Sequence, residues 1–432
     1  MAGIGHMGVP IGQSGEIGKK VTGVLGFRPM MTSVELFAGV GGLALGVSNA
    51  GFTHKAVVEI DADACETIRE NQRRNVKPLV DWPLYQGDVR AFDYGTIGEG
   101  VDLLAAGVPC QPWSLGGKHR GFQDERNLFP DTIAAIRKLR PKAVLIENVK
   151  GLLRQSFANY FEYITLMVRH PEVIRKASES WMEHLSRLER HHTAGGERGL
   201  EYKVLHQLVN AADYGVPQRR ERVFLVAFRS DLGVEWCFPS PTHSQDALLA
   251  DQWVTLDYWD RHKIGNRNRP QLPDNLRSRV ERASPLLPLC APWQTVRDAM
   301  SDLPDPERNP HNAVLNHVFQ PGARPYPGHT GSPLDEPAKT IKAGDHGVPG
   351  GENMLRLPSG YVRYFTVRES ARLQTFPDNF IFYGSWTETM RQLGNAVPVQ
   401  LSEVVASDIR RHLIAIVNRS TSTCALKLPT TH

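Results

Sequence analysis

Short runs of apolar residues alternate with amphipathic stretches through the first half of the chain. Runs of about five to eight mostly apolar residues favour buried strands, whereas apolar positions three and four residues apart favour helices. The predicted strands are residues 33–37, 56–60, 101–107 and 142–149, and the predicted helices are residues 63–75, with Asp63 as N-cap, and residues 132–140. Strands that alternate with helices in this way predict a parallel α/β sheet.

The pattern changes in the second half. A charged amphipathic stretch is interpreted as a helical insertion, an apolar strand is predicted at residues 222–228, and the segment after Arg229 is rich in Pro, Asn, Arg and Gly. Helices are predicted at residues 367–376 and 400–417. The predicted organisation is a flexible tail at 1–31, a main domain at 32–230 with the insertion at 155–198, a smaller irregular domain at 231–360, a hinge with a bridging helix at 361–393, and a return to the main domain at 394–420.

Composition narrows the class of protein. The 432 residues include 50 Lys and Arg against 46 Asp and Glu, so the formal net charge of +4 permits a nucleic-acid partner without requiring one. The five cysteines are scattered without a CxxC pair, so neither a disulfide framework nor a zinc site is expected, and a reducing, intracellular setting is favoured. No apolar run is long enough to span a membrane, and the N-terminal segment lacks the apolar core of a secretion signal.

A glycine-rich segment, FAGVGGLALG at residues 37–46, follows the first predicted strand and opens a helix. Glycines there let the backbone approach a cofactor and expose amide groups at a helix N-terminus. Glu59 lies about twenty residues after Gly39 at a strand end, where an acid that binds ribose hydroxyls is expected. The pair indicates an adenosine-containing cofactor, with NAD still open. The alternative is that the glycines serve only a tight turn.

Cys110 lies in the segment VPCQP, between Pro109 and Pro112. Proline fixes φ and has no backbone N–H, so this segment is neither helix interior nor central strand. It must be a loop after the strand at 101–107, and such loops build the ligand crevice of open α/β sheets. A thiol held there is a candidate nucleophile. The alternative, a buried inert cysteine, suits Cys65 and Cys237 better.

Two further polar groups are expected at the same edge of the sheet. Glu147, in IENV, ends the next strand, although a strand-end glutamate is more often structural. The segment PQRRER at residues 217–222 supplies three arginines, which form either a solvated loop or a grip on phosphates and a reacting base.

In order, the chain shows ELFAGVGG, VEID, GDV, VPCQPWS, ENV, QRRER, RESARLQTFP and GNAVP. This ordered set resembles the DNA (cytosine-5) methyltransferase family, of the bacterial modification-enzyme type. The resemblance runs from residue 33 to about residue 417, except for the small domain and the insertion. Glu35 stands where the family more often has Asp.

The resemblance implies a Rossmann-like sheet of the S-adenosylmethionine-dependent methyltransferases, with helices on both faces, and makes the small domain a target-recognition domain. It implies that the Cys110 thiolate adds to C6 of a flipped cytosine so that C5 can accept the methyl group. Glu147 then contacts N3 and the exocyclic amine, Arg222 orients the base, and Asn395 supports the site. The implied product is S-adenosylhomocysteine, and no metal is expected.

The remaining site residues are also carried over from the resemblance. Phe37 is expected to stack near the adenine, Gly39 and Gly41 to approach the methionine part, Glu59 to hold the ribose and Asp88 the adenine amine. Pro109 completes the predicted cofactor site. The predicted DNA contacts are Gln111, Ser114, Arg220, Thr340, Ile341, Lys342, Asp345 and His346.

Partners follow from the same resemblance. We expect double-stranded DNA as the substrate. The protein is expected to be a cytoplasmic monomer that does not associate with a membrane, and a cognate restriction endonuclease is expected to be encoded nearby without forming a stable complex with it. The alternatives are an RNA cytosine-5 methyltransferase and a catalytically idle relative that only binds DNA. A nicotinamide oxidoreductase explains the glycine loop and Glu59, but not VPCQP together with ENV.

Overall fold

A seven-stranded sheet forms the centre of the protein, in a computed structural model that describes residues 30–109, 128–195, 199–283, 290–311, 313–344 and 353–425. Its strands are β1 (Met31–Leu36), β2 (Phe52–Glu59), β3 (Leu84–Gln86), β4 (Leu103–Gly107), β5 (Ala143–Val149), β6 (Tyr202–Asn210) and β7 (Glu221–Arg229). The order is β3-β2-β1-β4-β5-β7-β6. Strands β1 to β5 are parallel, whereas β7 is antiparallel to β5 and β6. The predicted α/β class is confirmed, with β7 as the reversed strand.

Helices cover both faces of this sheet. In chain order the first five are α1 (Gly42–Asn49), α2 (Ala62–Arg73), α3 (Phe129–Leu139), α4 (Ala158–Arg169) and α5 (Trp181–Thr193). On one face, Val34 and Leu36 of β1 share a core with Ile136 of α3 and Ile164 of α4. Because β-strand side chains alternate, Met31 of β1 points to the opposite face, whose core contains α1.

The smaller domain is built from short elements, as its composition predicts. They are β8 (His243–Ser244), α6 (Gln245–Trp253), α7 (Asp257–Arg261), α8 (Asp274–Ala283), β9 (Ala291–Pro292), α9 (Val296–Met300), β10 (Ser332–Pro333), β11 (Met354–Arg356) and β12 (Val362–Tyr364). Its Ile341 and Leu355 share a hydrophobic core with Val40 and Leu45, which flank the start of α1. The glycine-rich loop and the small domain are therefore packed against a common interior.

The C-terminal part returns to the sheet through α10 (Val367–Leu373), α11 (Trp386–Asn395) and α12 (Val399–Ala425). Leu401 and Ile409 of α12 pack with Leu43 and Val47 of α1. A Cβ atom at Gly42 would overlap the carbonyl oxygen of Val397, so the backbones of α1 and the start of this return segment are in direct contact.

Two local predictions are corrected. Asp61, and not Asp63, is the N-cap of α2, since its Oδ1 accepts the Ala64 amide at 2.9 Å. Helix α4, predicted as part of the insertion, belongs to the main core: Ile164 and Val168 are fully buried against the sheet. Its apolar face was masked in the sequence by the charged residues that follow it.

Candidate active site

The carboxyl ends of β1, β2, β4 and β5 open into one cleft of about 1540 Å³, bounded on the other side by the small domain and the C-terminal segment. The cleft brings together most of the predicted site residues, namely Phe37, Gly39, Glu59, Asp88, Pro109, Glu147, Arg222, Thr340, Ile341, Lys342 and Asn395. Cys110, Gln111, Ser114, Asp345 and His346 lie outside the described residues.

The loop between β1 and α1 has the backbone shape of a ligand-binding turn. Phe37 and Gly39 both adopt positive φ, at 58° and 54°. For Phe37 this left-handed conformation is strained, and such strain concentrates at functional sites. A Cβ atom at Gly39 would meet nothing within 4 Å, so there is open space directly beside the loop. The loop therefore has room for a group that contacts its backbone.

Gly41 packs against Trp82 and does not face the cleft. Its φ is 91°, and a Cβ atom there would lie 2.7 Å from the ring of Trp82. Gly41 does not line the cleft among the described residues. The prediction that Gly41 approaches a cofactor is therefore not supported by its position, and glycine is required because the indole ring occupies the space of a side chain.

Glu59 fixes the shape of the glycine loop. Its Oε2 accepts the Gly39 amide at 2.7 Å, and its Oε1 accepts the amides of Ile60 and Asp61 at 2.8 and 2.7 Å. Burial raises the pKa of Glu59, while these three N–H groups oppose the rise by stabilising the charged form. The carboxylate thus ties the end of β2 to the loop after β1 and still borders the cleft.

Asp88 lies on the rim of the same half of the cleft. Its carboxylate accepts the Arg90 amide at 2.8 Å and the Arg90 Nε at 3.0 Å. These hydrogen bonds lower the pKa of Asp88, so the group is an anion that can accept from an amine.

Glu147, which is buried, and Arg222, which is partly buried, form an ion pair on the opposite side of the cleft. Strand β5 ends beside β7, so that Val149 is paired with Arg222 and Glu147 with Phe224. The Arg222 Nε lies 2.9 Å from the Glu147 Oε1. Burial raises the pKa of Glu147, whereas the guanidinium groups of Arg222 and Arg220 oppose that rise. A carboxyl group poised in this way can change its protonation when a bound group replaces water.

Asn148 is a contributor that the sequence reasoning missed. Its side chain is 1 % exposed, and its Nδ2 donates to the Val108 carbonyl at 3.1 Å. The bond fixes the chain just after β4, one residue before Pro109. Its position beside Glu147 in ENV was the available signal, because a polar residue adjacent to a strand-end acid needs a partner when it is buried.

Arg220 requires a correction. The predicted DNA contact is wrong for this structure, because the side chain is fully buried. Its guanidinium donates to the carbonyls of Ile341, Gly394 and Ala396 at 2.8, 2.6 and 2.9 Å. Arg220 therefore joins β7, the small domain and the GNAVP segment from inside the protein.

The buried side chain of Ile341 and hydrogen bonds with the backbone of Arg219 fix the position of the Thr340-Ile341 segment. The Arg219 amide donates to the Ala338 carbonyl at 2.8 Å, and the Thr340 hydroxyl donates to the Arg219 carbonyl at 2.7 Å. The Ile341 side chain is fully buried, so a direct contact between this side chain and DNA, as predicted, is not supported. Lys342 keeps an exposed side chain at the mouth of the cleft.

GNAVP supplies one wall of the cleft. Asn395 is exposed there at the end of α11. A Cβ atom at Gly394 would overlap the backbone of Lys342 and Ala343, so only glycine permits the small domain to approach this closely.

Two other cysteines were expected to be inert and buried. Cys65 is fully buried, and burial raises the pKa of its thiol to about 12, which agrees with that expectation. Cys237 is exposed, so its predicted burial is wrong.

Comparisons with known proteins give a consistent result. The sequence model of the C-5 cytosine-specific DNA methylases matches residues 31–170 and 191–411. The type II methyltransferase M.NgoMIV of Neisseria gonorrhoeae is 34% identical over 382 residues, which cover 88% of this chain and 98% of the relative. M.Eco47II of Escherichia coli is 32% identical over 396 residues, covering 90% of this chain and 80% of the relative.

A solved structure shares the fold. It is a prophage-encoded E. coli protein assigned as a DNA modification methyltransferase, with a TM-score of 0.52 at 20% identity, and the match covers 89% of this chain and 99% of that one. Within the described residues, no helix is long and apolar enough to cross a membrane.

Proposed function

The chain belongs to the C-5 cytosine-specific DNA methylase family and is a DNA (cytosine-5)-methyltransferase, and from this premise we propose that it methylates cytosine within a specific double-stranded sequence, with S-adenosylmethionine as donor. The observation that carries the proposal is the ion pair between the buried Glu147 and Arg222, whose Oε1 and Nε atoms lie 2.9 Å apart, in the same cleft as the glycine loop. One half of the cleft suits a cofactor and the other suits a reacting base.

The residues of the cofactor half fit S-adenosylmethionine. Open space beside Gly39 admits a ligand against the loop, and Phe37 offers an aromatic surface at the same edge. Glu59 and Asp88 are the acceptors available to ribose hydroxyls and an adenine amine. When bound, this cofactor supplies an electrophilic methyl group.

The residues of the other half act on the base. The Cys110 thiolate adds to C6 of cytosine, which makes C5 nucleophilic. Glu147 donates a proton to N3 as negative charge develops on the cytosine ring. Burial raises the pKa of Glu147, which favours the protonated form that this step needs. Once C5 carries the methyl group that the bound cofactor would supply, solvent takes up the C5 proton, the C5–C6 double bond re-forms with release of the Cys110 thiolate, and N3 returns its proton to Glu147. Pro109, which directly precedes the nucleophile in the sequence, lines the cleft, and its fixed φ supports a nucleophile carried on a stiff piece of backbone.

The depth of Glu147 in the cleft supports base flipping. Glu147 is only 8% exposed, at the end of a central strand. A cytosine stacked in a duplex cannot bring N3 to a group at that depth, so the base has to leave the stack. Asn395 lines the cleft into which the flipped base would enter.

The biological setting is part of the proposal. M.NgoMIV and M.Eco47II are named type II methyltransferases. By analogy, this enzyme acts as a cytoplasmic monomer and protects host DNA against an endonuclease encoded nearby, without a stable complex between the two.

The test is bisulfite sequencing of DNA from cells that express the protein. We expect methylated cytosines confined to one recurring sequence. Cys110→Ser should abolish methylation but retain DNA binding, and Cys237→Ser, which alters an exposed thiol, is the matched control with full activity. Glu147→Gln should lower the rate by roughly 10²–10⁴ with nearly unchanged cofactor affinity. Substantial methylation by Cys110→Ser would exclude the assigned nucleophile, and modification found in RNA alone would exclude the DNA substrate.

A further inference from the structure

Two histidines and a glutamate converge away from the active-site cleft, where three segments of the chain meet. His170 is the C-cap of α4, His192 lies in the last turn of α5, and Glu201 directly precedes β6. One ligand atom of each lies within 4.8 Å of the others. We propose that His170, His192 and Glu201 bind a zinc ion that fastens the α4–α5 hairpin to the sheet. The site contains no cysteine, whereas the expectation of no zinc site is drawn from the spacing of the cysteines.

The spacing of the two nitrogens suits zinc. His170 Nε2 and His192 Nδ1 are 3.2 Å apart. Two nitrogens bound at about 2.0–2.1 Å to a tetrahedral ion are about 3.3–3.4 Å from each other. The separation of the two nitrogens therefore needs little change, although each ring has to turn so that its lone pair points at the ion, and the exposed Glu201 side chain can rotate toward it. A water molecule completes four-coordination.

The surroundings of His170 hold its ring in place. The side chain is only 5% exposed. His191 packs edge-on against it, with ring centroids 4.9 Å apart, and limits its rotation.

Arg169 is the group that competes with a metal. Its Nη1 donates to His192 Nε2 at 2.8 Å, which places the His192 proton on Nδ1, facing His170. Zinc at Nδ1 requires the proton on Nε2, so the guanidinium must swing away. No hydrogen bond at its buried Nε opposes this movement among the described residues. This arrangement predicts that loss of Arg169 strengthens metal binding.

The position in the chain indicates a structural role. The family match ends at residue 170 and resumes at residue 191, so the two histidines sit at the two edges of the unmatched segment. An ion held by His170 and His192 closes that segment at its base, and Glu201 links it to β6. The site supplies rigidity to a part of the chain that lies outside the shared family sequence.

The test uses the full-length enzyme with any affinity tag removed, stripped with EDTA and titrated with ZnCl₂ by calorimetry. We expect one zinc per chain and a rise in Tm of several degrees at saturation. His192→Ala and Glu201→Gln alter exposed side chains, so the fold should survive, and each should weaken binding at least tenfold. His311→Ala, an exposed histidine in the small domain, is the matched control with unchanged affinity. Arg169→Gln should bind several-fold more tightly.

Several results would overturn the assignment. One is the absence of stoichiometric binding at micromolar zinc. Another is binding that His192→Ala and Glu201→Gln leave unchanged, since the ion would then sit elsewhere. Weaker binding by Arg169→Gln would mean that the guanidinium supports the site, contrary to the proposed exchange.

Discussion

Arg220→Met separates a structural role for this arginine from the DNA contact suggested by its sequence. The substitution removes three hydrogen bonds, to the carbonyls of Ile341, Gly394 and Ala396, and leaves those carbonyls buried without a charged donor. Each loss costs about 1–3 kcal/mol, and the relief of burying a guanidinium offsets part of the sum. We expect a net loss of about 3–5 kcal/mol in the free energy of unfolding.

The expected thermal shift follows from chain length. The entropy of unfolding is about 2.1 cal/mol/K per residue, which amounts to about 0.9 kcal/mol/K for a chain of this size. A loss of about 3–5 kcal/mol therefore lowers Tm by about 3–6 °C. The assay is differential scanning calorimetry of the purified wild type and variant at equal concentration.

Arg219→Gln is the matched control for Arg220→Met. Arg219 is the adjacent arginine, with its side chain 40% exposed and paired with Glu336. Exposed pairs contribute little, so its Tm should change by less than about 1 °C. The reasoning is refuted if Arg220→Met leaves Tm unchanged while the salt dependence of DNA affinity falls by about 0.9 in log–log slope, because that slope change marks the loss of one phosphate contact.

Three further predictions concern the strand core, the glycine loop and recognition. Glu35 is fully buried with both carboxyl oxygens unpartnered among the described residues, and burial raises its pKa. The folded state therefore holds the Glu35 proton more tightly than the unfolded state, and above the unfolded pKa near 4.5 the free energy of unfolding falls by up to about 1.4 kcal/mol per pH unit. Glu35→Gln removes this loss, so in urea titrations its gain in stability over the wild type should be larger at pH 8 than at pH 5. An equal gain at both pH values contradicts this prediction. Gly39→Ala should weaken S-adenosylmethionine binding at least tenfold by calorimetry. Gly98→Ala is the control: Gly98 also has positive φ and open space around it but lies away from the cleft, so this variant should show the same backbone strain without the loss of binding. Substitution at Lys342, Asp345 or His346 should relax or shift the methylated sequence while single-turnover chemistry on cytosine persists; full retention of the parental site in bisulfite maps places recognition in another part of the small domain.

Five strands of the seven-stranded sheet are predicted from the sequence pattern, whereas β3, β6 and the direction of β7 are not. An apolar run such as residues 222–228 predicts burial equally well for a parallel and an antiparallel strand, because direction is set by the connection and not by side-chain pattern. The residues of the cleft were predictable because turn glycines, prolines and strand-end acids each carry a local signal.

The interior roles of polar residues could not be predicted in the same way. Arg220 and Arg222 are two positions apart in one motif, yet one is enclosed by carbonyls and the other faces Glu147. The difference depends on Ile341 and Gly394, which are more than a hundred residues distant in the chain. Burial of a long cationic side chain is a tertiary property, so the usual exposure of arginine misled the prediction.

The contact between α1 and α12 also limits how early the protein can complete its fold during translation. Asn49, at the end of α1, donates to Glu403 of α12, which lies 354 residues further along the chain. A ribosome that adds about 5–20 residues per second needs roughly 20–70 s to make that interval. During this time Leu43 and Val47 of the nascent chain lack the helix that covers them. The nascent chain therefore exposes a hydrophobic surface of the kind that chaperones bind. A chain whose translation stops before α12 therefore leaves Leu43 and Val47 of α1 without the helix that buries them.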